Sequence, residues 1–342
     1  MRAAVIEKPG SYVVKEIERP VPKKDEVLIR VDSASICNAT DGHIYHGVFD
    51  GYHDFYPQIM GHEIAGEVIE AGEDVTELRP GDLIAEYTPR GAFCEYAIVR
   101  PKEDLWVRVP KSIPLRARSL VEMFHGAYVS TVYPAEITRE ETVLVVGQGP
   151  MGLTVTAGAK LTAKKVIVTD FYQNRLDKAL EMGADVALNR SQMSADEVVK
   201  RVLEETDNKG ADVVIMAISE DRSENSDAYD MAIAAMRYRG RMTGLLVDVK
   251  GIGKNQRINP RQLLRKEARF QHTLNPVYRN HQDELNAFQG AVDAVAAGKI
   301  NLEKLITHEI GLEDLEEALD LCGNKLDQVI KVVVYPGRLP KA

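Results

Sequence analysis

Thr142-Val-Leu-Val-Val-Gly-Gln-Gly-Pro-Met-Gly152 decides the fold class of this 342-residue chain. Five uncharged residues, four of them valine or leucine, end abruptly in glycines spaced Gly-x-Gly-x-x-Gly. Such a run, bounded by glycine, reads as a strand buried on both faces, and Pro150 to about Leu161 reads as the helix after it. The rhythm repeats further along. Val166-Ile-Val-Thr169 is another β-branched run, Arg175–Met182 is helical, and Ala211-Asp-Val-Val-Ile-Met216 is a third strand. Alternating helices and buried strands predict a parallel sheet with right-handed crossovers.

The three glycines have separate mechanical tasks. Gly147 makes the tight turn, Gly149 lets a pyrophosphate approach the backbone, and Gly152 lets helix and strand pack closely. The helix start at Pro150 and Met151 then offers free N–H groups to phosphates. Gly-x-Gly-x-x-Gly also occurs in plain β–α turns. Here Asp170 ends the next strand, 18 residues past Gly152, where an acid binds the adenosine ribose hydroxyls and repels a 2′-phosphate. The motif therefore predicts a dinucleotide, NAD rather than NADP. Arg175 reads as a helix-surface residue or a neighbour of the adenine face rather than a phosphate clamp.

The first hundred residues have a different texture. Val27-Leu-Ile-Arg-Val31 alternates, Ile64–Ile69 is apolar with Gly66 inside, and Pro57, Gly61, Gly72, Pro80 and Gly81 punctuate the stretch. Short strands and turns are expected there. After the α/β segment come helices at Glu284–Ala297 and Leu312–Leu321 and a strand at Ile330–Tyr335, a closing piece expected to rejoin the first. The length suits two domains. A net charge of −9 opposes nonspecific nucleic-acid binding. The charged opening residues do not read as a signal peptide, no stretch reaches membrane-span length, and three scattered cysteines do not form a disulfide framework. A cytoplasmic protein with no membrane or nucleic-acid partner is expected.

Three places offer metal donors: Cys37 in Ile36-Cys-Asn-Ala-Thr40-Asp-Gly-His43, the pair His62-Glu63, and Glu122 in Leu120-Val-Glu-Met-Phe-His125. A lone cysteine is more often a small core residue, and a lone histidine a hydrogen-bonded structural one. Together they supply S, N and O donors, the mixed set with which a catalytic zinc keeps one position open.

These segments, with Gly-His-Glu-x-x-Gly-x-Val, Gly81-Asp82, Gly91-Ala-Phe-x-Glu-Tyr96 and the glycine turn, occur in the order seen in medium-chain zinc dehydrogenases. The chain resembles the sorbitol, threonine and sugar dehydrogenase branch of that family over essentially its whole length. The resemblance implies an α/β fold: a GroES-like, mostly β catalytic domain (1–122 and 276–342) interrupted by a Rossmann domain with a doubly wound parallel sheet (123–275). It implies that Cys37 and His62 ligate zinc, with Glu63 and Glu122 as exchanging acidic ligands. Thr40 and His43 would begin and end a proton relay through a nicotinamide ribose hydroxyl. The implied substrate is a secondary alcohol of a polyol, sugar or cyclitol, or of an amino alcohol such as threonine. Metal-free reductases and non-enzymatic nucleotide sensors on the same scaffold are the rivals.

Two departures stand out. Many members have one residue between the cysteine and the hydroxyl residue, whereas Asn38 and Ala39 both precede Thr40. Register from Cys37 puts Ala39 at the hydroxyl position; register from Thr40-Asp41-Gly-His43 makes the loop one residue longer, the preferred reading. Met123 follows Glu122 where relatives commonly have proline, and His125 lies one turn on. It reads as a partner of the site or as a packed helix histidine. The lobe of four cysteines found in many relatives is missing, so one metal per subunit is expected, with Cys94 and Cys322 lacking chemistry. The aromatic run Tyr45–Tyr56 reads as part of a substrate pocket, or else as packing of the first domain's core. Met242–Val247 reads as an exposed apolar sheet edge that would join copies into a homodimer or homotetramer.

Overall fold

The apolar runs become strands, and the chain divides into two units, residues 1–123 with 280–342, and residues 124–279. The computed structural model describes residues 1–47, 56–88, 90–218, 227–245, 259–273, 281–324 and 328–337. The first unit opens with β1 (Arg2–Lys8), β2 (Ser11–Glu16), β3 (Val27–Ser35), α1 (Thr40–Tyr45), β4 (Gln58–Ile59), β5 (Glu63–Ala71), β6 (Leu83–Tyr87), β7 (Tyr96–Val99) and β8 (Leu105–Arg108). Helix α2 (Leu120–Ala127) carries the chain across the boundary. The second unit is built from β9 (Thr142–Val146), α3 (Pro150–Lys160), β10 (Lys165–Asp170), α4 (Gln173–Glu181), β11 (Val186–Asn189) and α5 (Ala195–Glu204). It continues with β12 (Ala211–Met216), α6 (Ala228–Ala235), β13 (Met236–Leu245), α7 (Pro260–Lys266) and β14 (Arg269–Thr273). The closing elements are α8 (His281–Ala296), β15 (Ile306–Gly311), α9 (Leu315–Asn324) and β16 (Lys331–Tyr335).

In the first unit a sheet of order β2-β1-β4 accompanies a seven-stranded one, β15-β16-β3-β5-β6-β8 with β7 also on β3. Strand β3 is buried along most of its length because neighbours flank it on both sides. The closing segment does rejoin this unit: Leu312, Leu319 and Val334 share one core cluster with Ile6, Ile29, Ile64 and Phe93. Antiparallel pairing sets Ser35 opposite Glu63 on β5, and the same end of β3 opposite Val333 and Val334 on β16. The end of β3 and the starts of β5 and β16 therefore meet.

The second unit is a six-stranded sheet of order β11-β10-β9-β12-β13-β14 with every pairing parallel. Counted from β9, the order is third, second, first, fourth, fifth, sixth, the doubly wound Rossmann arrangement. It reverses between β9 and β12, and Gly147 leaves β9 at that point.

One expectation is corrected. Met242–Val247 is not an exposed edge: β13 lies between β12 and β14, and Met242 has no exposed surface. The strand that covers it, Arg-Phe-Gln-His-Thr, is too polar to announce itself by periodicity. Residues 246 and 247 lie outside the described residues. Leu120–Val132 is helical throughout, an α-helix to Ala127 that widens into a π turn over Tyr128–Val132. Of the aromatic run, residues 48–55 lie outside the described residues, while its ends serve the first unit's core. Tyr45 is 5% exposed and donates to Glu316, and Tyr56 donates to the Ile44 carbonyl.

Candidate metal centre and dinucleotide turn

The end of β3 delivers Cys37, and the start of β5 delivers His62 and Glu63. One donor atom from each lies within 4.8 Å of the others, the one such group among the described residues. The Cys37 backbone N–H donates to Asp41 Oδ2 at 2.8 Å, and its thiol donates to Thr40 Oγ1 at 3.6 Å. The Thr40 hydroxyl therefore sits at the sulfur despite the two intervening residues. His43 follows one turn along α1, partly exposed. Asp41 is fully buried, and its Oδ1 has no hydrogen-bond partner among the described residues; His62 Nδ1 stands 3.7 Å away.

Glu63 is buried and already held. Lys331, 1% exposed at the start of β16, donates to Glu63 Oε1 at 2.8 Å and to the Ile36 carbonyl at 2.7 Å, and its ammonium lies 2.6 Å from Oε2. Ser35, the cross-strand partner of Glu63, also donates to Oε2. Glu122 is 7% exposed on α2 beside this group but outside the converging trio. Burial first, then the charge of Glu63, pushes its carboxyl up to about 8. Burial likewise pushes Asp41 up to about 6, against the pull of His62. For His62 burial works downward, yet Cys37, Asp41 and Glu63 together raise it well above the ordinary histidine range.

The carboxyl shifts come chiefly from burial, and that of His62 from its thiol and acidic neighbours. A thiol and three carboxyls crowd a buried volume in which Lys331 is the one permanent cation among the described residues, so without a further positive charge the site takes up protons instead. A divalent ion fits this donor set: sulfur and imidazole favour zinc, and buried carboxylates complete it. Asp41 is the carboxylate beside His62, 3.7 Å from its Nδ1 and not hydrogen-bonded to it. Asp41, Lys331 and Ser35 escaped the sequence reading. Lys331 looks like the exposed first residue of an apolar strand, and Asp41 like loop polarity. His125 is 1% exposed, on the far side of the unit boundary from Glu122. Cys94 and Cys322 are buried and unbridged, and burial pushes Cys94 up to about 12.

In the second unit the glycine turn is built as the spacing requires. Gly147 has φ +93°, and a Cβ there would lie 2.5 Å from the Ala217 carbonyl oxygen. A Cβ on Gly152 would lie 1.9 Å from the Gly147 oxygen, so the helix start can approach the turn only as glycine. A Cβ built on Gly149 would meet only a guanidinium nitrogen of Arg175, at 3.9 Å, which leaves room beside the backbone where Pro150 and Met151 begin α3. Asp170 is engaged more closely than the sequence suggests: Oδ2 accepts from Gln148 N at 2.7 Å and Oδ1 from Tyr172 N at 2.9 Å. The carboxylate ties the end of β10 to the turn, with lone pairs left over. Arg175 is not a helix-surface residue. It is 7% exposed, its guanidinium 4.9 Å over the Tyr172 ring and directed at the turn.

Comparison with known proteins gives the family of the chain. Residues 23–111 match the alcohol dehydrogenase GroES-like domain and residues 150–297 the zinc-binding dehydrogenase domain. The chain is 32% identical to an L-threonine 3-dehydrogenase of Pyrococcus horikoshii, over 94% of this chain and 95% of that protein. It is 28% identical to a sorbitol dehydrogenase of Bombyx mori, over 97% and 98% respectively. A solved alcohol dehydrogenase from Escherichia coli CFT073, complexed with NADH, superposes with a TM-score of 0.80 at 27% identity, covering 98% of this chain and 99% of that one. The protein belongs to the zinc-binding alcohol dehydrogenase family, GroES-like and Rossmann units together, whose members are oxidoreductases acting on CH–OH donors with a nicotinamide dinucleotide.

Proposed function

We propose that the protein oxidises a secondary hydroxyl of a polyol, sugar or cyclitol with NAD, or reduces the corresponding ketone. The convergence of Cys37, His62 and Glu63 beside Glu122 carries this reading. Cys37 and His62 would hold the metal, with Glu63 and Glu122 as the acids beside it. When bound, zinc supplies Lewis acidity at the hydroxyl oxygen, and the dinucleotide supplies the hydride acceptor. The Thr40 hydroxyl, next to the Cys37 sulfur, receives the substrate proton, and His43 passes it toward solvent. Asp170 favours NAD, because a carboxylate fixed at the end of β10 opposes a 2′-phosphate there.

The acid-rich metal shell and the similarity to a sorbitol dehydrogenase support polyols. The 32% identity to an L-threonine 3-dehydrogenase supports an amino alcohol as the second reading. A panel of polyols, cyclitols, L-threonine and primary alcohols, monitored at the NADH absorbance, separates them. The expected result is a higher specificity constant for a polyol than for any primary alcohol. Turnover of L-threonine alone would favour the second reading, and preference for ethanol would defeat both. The NAD specificity constant should exceed that for NADP by at least about tenfold, equivalent to roughly 1.4 kcal/mol or more. Cytoplasmic residence belongs to the same proposal, supported by three unbridged cysteines; recovery in a secreted or membrane fraction would contradict it.

A further inference from the structure

Gln148 stands between the first two glycines of the β9–α3 turn and has no exposed surface. Its backbone N–H donates to Asp170 Oδ2 at 2.7 Å. Its side chain folds back on the turn: Nε2 donates to the Gly147 carbonyl at 2.8 Å, and Oε1 accepts from the Thr156 hydroxyl at 2.9 Å. Thr156, on α3, is equally buried. The peptide joining Gly147 to Gln148 is therefore held at both ends, its oxygen by the Gln148 amide and its N–H by the Asp170 carboxylate. The amide's orientation follows from its partners. A carbonyl can only accept, so the NH2 end faces Gly147, and the oxygen end is left for a hydroxyl donor.

Nothing in the glycine spacing calls for a long polar side chain at this position, and a buried primary amide costs free energy unless its groups are paired. The Gly147 oxygen supplies the reason. It is seated against the helix start, since a Cβ on Gly152 would lie 1.9 Å from it. The first-turn N–H groups there have no intrahelical partner and are the donors a pyrophosphate needs. A carbonyl left unoccupied beside them competes for those donors, and a peptide next to glycine has no Cβ to resist its turning. We propose that Gln148 is a positioning residue for the dinucleotide pyrophosphate. Its amide, oriented by Thr156, occupies the Gly147 carbonyl and leaves the α3 N–H groups to the phosphates. The inference rests on the dinucleotide reading of this turn given above.

The test measures the affinity of the full-length protein for NADH by fluorescence titration, and for ADP-ribose and adenosine by competition with NADH. Melting temperature is recorded alongside. The variants are Gln148→Met, Thr156→Val and Thr156→Ser. In Gln148→Met the Kd for NADH and for ADP-ribose rises by about tenfold, the scale of one buried acceptor left unpaired. The Kd for adenosine, which carries no phosphate, stays at its wild-type value, because the backbone N–H of residue 148 still holds Asp170. Thr156→Val shows the same pattern, since the amide loses the partner that orients it, whereas Thr156→Ser keeps the hydroxyl and the wild-type affinities. Equal weakening of all three ligands, or a lowered melting temperature with unchanged affinities, makes Gln148 a purely structural residue and overturns the proposal. Should Gln148→Met fail to accumulate, the two Thr156 variants decide: equal NADH affinity in Thr156→Val and Thr156→Ser overturns it. A wild-type protein that binds neither NADH nor ADP-ribose defeats the dinucleotide reading and this inference together. Wild-type binding with unchanged affinities in the variants defeats this inference alone.

Discussion

Cys37 and His62 each present a donor atom to the same point. Cys37→Ala and His62→Ala should each lose bound zinc and lower turnover by about 10²-fold or more, since metal polarisation contributes several kcal/mol. Titration with NADH should still show binding, because the glycine turn belongs to the other unit. Zinc retained at wild-type content in either variant would remove that residue from the site. Glu122→Ala should lower turnover more than zinc content. The raised carboxyl of Glu122 also sets a pH dependence. In the zinc-free protein its pKa moves from an ordinary 4.5 up to about 8, so the folded state binds the proton more tightly than the unfolded one. Stability on this account falls as pH rises from about 4.5 to about 8. His62, raised in the folded state, changes stability in the same direction, losing its contribution as pH climbs through its own raised value. Thermal melting of zinc-free protein across this window should show the decline, and Glu122→Gln should flatten it. A melting temperature that rises from pH 5 to pH 8 would refute the assignment.

Among the elements, the β9–α3 turn is the least tolerant. Gly152→Ala forces a Cβ to 1.9 Å from the Gly147 oxygen, and α3 must move away from the turn to relieve it. Dinucleotide binding should be lost while zinc content is unchanged, as NADH fluorescence titration and elemental analysis would show. Asp170→Ala acts on the same element differently. It removes the acceptor of two backbone N–H groups, Gln148 and Tyr172, one of them buried, and should lower stability by roughly 1–3 kcal/mol in addition to narrowing the NAD preference. A variant with wild-type melting temperature and unchanged cofactor ratio would show that the carboxylate is dispensable.

For the whole molecule, we propose a homodimer or homotetramer. Strand β13 is covered, so on that side of the sheet the edge among the described residues is β14, where Phe270 is 39% exposed. Light scattering at micromolar concentration should report a multiple of the 38.0 kDa chain mass. A monomer would refute the assembly. The Phe270→Lys variant should shift the mass toward the monomer if β14 forms the contact.

The sequence alone determined the strands and turns whose cause is local. An apolar run ending in spaced glycines reads as a buried strand and a tight turn, and the structure supplies the reason for the last of them: a Cβ at Gly152 would collide with the Gly147 oxygen. The donor types at Cys37, His62, Glu63 and Glu122 were legible for the same reason, since their chemistry lies in the side chain itself. Tertiary structure decided what depends on partners remote in the chain. The register of β3 against β5 and β16 brings Lys331 to Glu63, 268 residues apart, and no local pattern distinguishes that lysine from an exposed strand end. The depth of Arg175, the coverage of β13 by the polar strand β14, and the packing of Tyr45 and Tyr56 into the core were decided in the same way. Burial belongs to the assembled molecule: a side chain's surroundings are set by which strands lie beside it, and the chain reveals those only once it is folded.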